Sequence, residues 1–180
     1  MKRKVFTLEA EEATVSMADT AISFWQTAMV NYEFAHALNR LYDLDLERMN
    51  DMHFFDRPAA WPCYHYYDNE RKLGFDLLDK PFALGSVNPM FDTSDKIVIV
   101  TGQGAWEMAT RMAGDSAARM TDNATLARFA NEVFTVEVFD FDPLSPHAPK
   151  IGTNAYRHYD AVKALCEQIV ACLDLNNTRY

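Results

Sequence analysis

The amino-acid sequence predicts an α+β domain, a mainly antiparallel sheet of about five to six strands covered by helices on one face. Three observations carry that expectation. Runs rich in β-branched and aromatic residues recur along the chain. Between them lie segments whose apolar residues return every three to four positions. Two of the β-prone runs flank a short polar turn, which joins neighbouring strands antiparallel.

In chain order, residues 4–9 (KVFTLE) read as a first strand and 11–20 as irregular and polar. Residues 21–29 alternate Ile22, Phe24 and Gln26 against Ser23, Trp25 and Thr27, the period of a strand; an early start of the next helix is the competing assignment. Over 31–43, Phe34, Ala35, Leu38, Leu41 and Tyr42 form one helical stripe, with Asn31 placed to cap it by accepting from an orphan N–H. Leu44 and Leu46 then alternate with Asp45 and Glu47 in a short bridging segment. Residues 61–67 and 72–78 form a hairpin around 68–71, with Cys63, His65 and Tyr67 on one face and Tyr64 and Tyr66 on the other. Pro58 and Pro62 hold its first strand near an edge or limit its start.

Pro81, Gly85 and Pro89 make 80–94 a loop, and 95–101 (DKIVIVT) has the composition of a buried strand. Gly102-Gln103-Gly104 follows, then a helix over 105–113 ended by Gly114, and a second over 115–131 anchored by Leu126 and Phe129. Residues 133–141 (VFTVEVFDF) form a strand stopped by Pro143, Pro146 and Pro149. After this Pro-rich linker at 142–152, Tyr159, Val162, Cys166, Ile169 and Leu173 stripe a helix over 154–175, which either lies on the sheet or pairs with a partner chain.

At 180 residues the chain is expected to be a single domain. Its 17 basic and 26 acidic side chains give a formal charge of −9. That balance argues against nucleic acid and anionic membrane as partners, because both need a basic footprint. No apolar run reaches the roughly 18 residues of a bilayer span, and the N-terminus has no signal-peptide core. Cys63, Cys166 and Cys172, without a CxxC, fit free thiols in a reducing, cytoplasmic compartment.

Motifs for chemistry are sparse. Gly102-Gln103-Gly104 follows a strand and opens a helix, where backbone N–H groups face an anion. Glu107, however, stands where a dinucleotide fingerprint needs Gly or Ala, and no Gly-Lys-Ser/Thr is present, so a tight structural turn is the simpler role. His36, His53, His65, His147 and His158 lack ligand spacing, so neither a metal nor a cofactor is expected. Cys63 and His65 lie about 6.6–6.8 Å apart along a strand, beyond a nucleophile–base hydrogen bond. Asp140 and Asp142 project together at a strand end, where they either serve a hard cation or acid–base chemistry, or cap a loop. Trp61, Tyr64, Tyr66 and Tyr67 crowd one hairpin strand just after Phe54 and Phe55. An exposed aromatic edge rimmed by acids points to a protein contact, and core packing is the competing role.

Residues 21–56 place an apolar strand before Asn31-Tyr32, then Leu38-Asn39-Arg40-Leu41, then Asp43-Leu44-Asp45-Leu46-Glu47-Arg48. Tyr64-His65-Tyr66-Tyr67-Asp68 and Phe75-Asp76-Leu77-Leu78 follow as a tyrosine-rich hairpin. Over about residues 21–100 the chain thus resembles the IPExxxVDY family of small bacterial proteins, whose helix holds a similar Tyr…Leu-Asn-Lys pattern, although the namesake Ile-Pro-Glu does not occur. The resemblance implies a bacterial cytosolic protein and no catalytic residue. The expected function is a non-enzymatic interaction or adaptor domain that binds a protein partner or itself through Trp61, Tyr64, Tyr66 and Tyr67. The alternative is a small enzyme or anion-binding protein with its site at Gly102, Gly104, Asp140 and Asp142.

Overall fold

A computed structural model describes residues 17, 19–52, 60–79, 93–141, 146, 160, 162–164, 166–171 and 173. The strand expected at 4–9, most of the 80–94 loop, Asp142 and both ends of the C-terminal helix lie outside these residues. The elements run β1 (Thr20–Thr27), α1 (Asn31–Tyr42), β2 (Glu47–Arg48), β3 (Cys63–Asp68), β4 (Leu73–Asp79), β5 (Lys96–Thr101), α2 (Ala105–Asp115), α3 (Ala124–Glu132) and β6 (Val133–Asp140). Among the described residues the strands form one six-stranded sheet in the order β2-β3-β4-β5-β1-β6, every neighbouring pair antiparallel. The α+β class read from the sequence therefore holds, and residues 21–27 are strand.

The helices do not all lie on one face. Successive strand residues point to opposite sides of a sheet, and in β1, β4 and β5 both sets are largely buried, with apolar residues in each. Ile22, Phe24, Ile97, Ile99 and Phe139 pack with Val162, Cys166, Ile169 and Leu173 of the C-terminal helical residues. Trp25, Phe75, Leu77, Val98 and Val100 pack instead with Phe34 and Leu38 of α1, Ala109 and Met112 of α2, and Phe129 of α3. A sheet buried on both sides needs a cover on each, so α1 to α3 take one face and the C-terminal helix takes the other. Each Leu, Ile or Phe enclosed this way contributes roughly 1.5–3 kcal/mol. The C-terminal stripe accordingly packs on its own sheet.

The second core is built around aromatics. Trp25, Phe34 and Phe129 form a triangle with ring centroids 5.4–5.8 Å apart. Ser23, buried on the same face, is satisfied: its Oγ accepts from Trp25 Nε1 at 2.7 Å and donates to the Val98 carbonyl at 3.3 Å.

Local chemistry sets the boundaries. Asn31 is not the cap of α1. Phe34 N–H donates to the Val30 carbonyl, so the helix starts one residue earlier than the side-chain rule indicates, and Val30 caps without a side-chain bond. Asp43, left-handed at φ 55°, ends α1, and Asn39 fixes the exit by accepting from Leu46 N–H at 2.9 Å. Gly114 does not terminate α2, which runs on through Asp115. The helix expected over 115–131 begins only at Ala124, where Asn123 accepts from the N–H groups of Thr125 and Leu126. In the hairpin, Asp68 accepts from Glu70 and Arg71 N–H at 2.9 Å each, closing the turn before Lys72 at φ 56°. Among the described residues no helix is long and apolar enough to cross a membrane.

Candidate functional site

The aromatic hairpin divides between core and surface. Trp61 is fully enclosed, in the same cluster as Cys63 and the C-terminal helical residues. Tyr64 and Tyr66 are half-buried against the α1 face, Tyr66 stacked on Phe75 at 6.3 Å and Tyr64 under the Arg48 guanidinium at 5.5 Å. Tyr67 is exposed. The predicted contact surface thus reduces to one tyrosine and the edges of two others. The 2.0-residue period that spread these aromatics over both faces also carried most of them into packing.

The Gly102–Gly104 turn has a backbone explanation. Gly102 has φ 108° and its N–H donates to the Asp19 carbonyl; a Cβ there would lie 2.2 Å from the Lys72 carbonyl oxygen. Gly104, at φ 93°, caps α2 in a left-handed conformation that a side chain strains. Asp140 is half-buried at the same end of the sheet, two strands from Thr101, because β5 and β6 flank β1. Glu107 occupies the first turn of α2 beside Gly104. Its charge disfavours an anion at those N–H groups.

Two polar clusters were not singled out in the sequence. His65 Nδ1 lies 2.8 Å from Asp76 Oδ1 across the β3–β4 ladder. The hydrogen bond to Asp76 raises the imidazole pKa above its ordinary 6.5. Cys63 shares that sheet face, but burial, followed by the Asp76 charge, pushes its thiol up to about 12. A thiol held protonated this firmly is a poor nucleophile, and His65 is engaged with the carboxylate rather than with sulfur. Burial also raises the Cys166 thiol, and both cysteines are free. The second cluster is Lys96, whose Nζ sits 2.8 Å from Asp79 Oδ1 and 3.0 Å from Asp95 Oδ2 with its side chain 4% exposed. Asp95 Oδ1 also accepts from Thr27 N–H at 2.9 Å, tying the ends of β1, β4 and β5 together. This cluster lines an open groove of about 590 Å³ together with Val30, Tyr32 and Tyr64. Among the described residues no group of three His, Cys, Asp or Glu side chains is arranged to hold a metal ion.

The two sheet edges are unlike. β2 is two exposed, charged residues, and Arg48 is tied to Asp51, the Met49 carbonyl and the Cys63 carbonyl. Short charged edges resist pairing. Among the described residues β6, eight residues long, forms the other edge. Phe141 N–H donates to Thr20, and Gly102 N–H to Asp19. Hydrogen-bonded and non-bonded pairs alternate along an antiparallel ladder. With the constant register between Ala21↔Asp140 and Gln26↔Thr135, residues 135, 137 and 139 therefore direct their backbone groups to β1. Val136 and Val138 direct theirs away from β1, to the side where no described strand lies. Both valines are half-buried, and Phe134 beside them is 58% exposed at the register shift that opens β6.

The signal for the clusters was faint but present: Asp76 interrupts the apolar run of β4, and Lys96 opens the most apolar strand. No sequence signal marked β6 as an edge, because strand order is set by pairings distant along the chain. No protein-family model, no curated protein and no solved structure matches this chain.

Proposed function

We propose that the protein is a non-enzymatic protein-interaction domain and that its contact surface is the β6 edge, with Phe134, Val136 and Val138 at its centre. The observation that carries this is the pair of edge valines whose N–H and C=O groups face outward beside an exposed phenylalanine. An edge of this length is a template for a further strand, main-chain bonds supplying affinity and alternate side chains supplying selectivity. The buried, protonated thiol and the carboxylate-bound histidine support a binding role over bond-breaking chemistry at the hairpin. Tyr67 and the rims of Tyr64 and Tyr66 lie at the far side of the sheet, and Trp61 belongs to the core.

The test is an NMR titration of the labelled protein with an uncharged strand probe, acetyl-Val-Thr-Val-Thr-Val-Thr-Val-amide. Slowed amide exchange at Val136 and Val138 on adding the probe is expected. In Val138→Pro the response is lost while the fold is kept, because that N–H makes no bond to β1. A probe that leaves both valine amides unaffected would exclude the edge as a docking surface.

A further inference from the structure

We infer that the segment received by the β6 edge is basic, an extended strand of a partner protein in which Lys or Arg alternates with β-branched residues; this rests on the docking role proposed above. The warrant is charge complementarity. Between Arg128 and Lys150 the sequence has no Lys or Arg, and it carries Glu132, Glu137, Asp140 and Asp142. Arg128 neutralises Glu132, with Nε 3.0 Å from Oε1. Glu137, at the middle of β6, has no ion-pair partner among the described residues.

The register fixes where the charge of the partner must fall. A strand added antiparallel to β6 forms its hydrogen-bonded pairs with Val136 and Val138, so its residues opposite them lie on the α1 face beside those valines. The residue between these two faces Glu137 directly, on the side covered by the C-terminal helix. Opposite charges in directly facing positions stabilise a strand pair, and like charges destabilise it. The pattern favoured is therefore apolar–basic–apolar. A second copy of this chain is disfavoured on the same ground: each carries −9, and a two-fold pairing centred on residue 137 sets Glu137 against its own copy.

Three probes of one length separate the possibilities: acetyl-Val-Thr-Val-Lys-Val-Thr-Val-amide, the same peptide with Glu for Lys, and the uncharged probe above. The lysine probe is expected to bind about three- to tenfold more tightly than the glutamate probe at low salt. That preference should collapse in about 1 M salt, where the screening length falls to about 3 Å, and should reverse in Glu137→Lys. Equal binding of all three overturns the charge inference and leaves the docking edge intact; no binding of any overturns both. Protein that dimerises by itself at micromolar concentration, and loses the dimer in Val138→Pro, assigns the edge to a second copy and overturns the basic partner.

Discussion

Replacing Lys96 by methionine keeps most of the aliphatic stem and deletes the ammonium that joins three strand ends. In the folded protein this cation is 4% exposed and lies 2.8 and 3.0 Å from two carboxylates. Removing one member of a buried ion pair costs about 3–5 kcal/mol, because a desolvated charge is left uncompensated. Asp79 and Asp95 are 20% and 35% exposed, so water recovers part of that loss. A cost of about 2–4 kcal/mol is therefore expected, or about 4 to 16 °C in Tm for a chain of this size. Adding Asp79→Asn and Asp95→Asn to the Lys96→Met protein should restore most of the loss. A neutral set leaves no uncompensated charge, and the amide oxygen introduced at position 95 still accepts from Thr27 N–H. Urea unfolding followed by tryptophan fluorescence gives all three values. An unchanged midpoint for Lys96→Met, or a triple variant less stable than the single one, would refute the electrostatic account of this junction.

The His65–Asp76 pair makes stability depend on pH. The folded pKa lies above the ordinary 6.5 of the unfolded chain; the stabilisation is full below 6.5 and is lost as pH rises through the folded value. The difference in unfolding free energy between the native protein and His65→Gln should accordingly shrink between pH 6 and pH 9, and a constant gap would contradict it. At the β5–α2 turn, Gly102→Ala places a Cβ 2.2 Å from a backbone oxygen, whereas the nearest atom to a Cβ at Gly104 is 4.0 Å away. Gly104→Ala should cost about 1–2 kcal/mol for its left-handed backbone, and Gly102→Ala clearly more, as thermal melts of the two variants will report.

Periodic elements were legible. The alternation around Trp25 favoured strand over an early helix start, which the structure bears out, the stripe through Phe34 and Leu38 defined α1, and the stripe through Val162 and Ile169 marked the C-terminal helix. Three things were not. Asn31 has the right chemistry for a cap, yet a backbone bond to Val30 set the start of α1. Trp61 reads as a contact residue because a strand face carries no label for core or solvent. Lys96, Asp79 and Asp95 meet only because β4 and β5 pair in one register, and the edge position of β6 follows from a strand order that no local segment encodes. The candidate site was thus mostly hidden, being a property of topology.

The placement of β1 constrains the order in which the chain can fold. Its partners are β5 and β6, and the cover for Ile22 and Phe24 includes Ile169 and Leu173. During synthesis this early strand must wait for well over a hundred further residues before both its hydrogen bonds and its apolar side are satisfied. At about 5–20 residues per second that interval lasts on the order of ten seconds or more. Native structure is completed only as the C-terminal helix emerges, and a nascent chain arrested before residue 160 would present a bare greasy wall to holding chaperones.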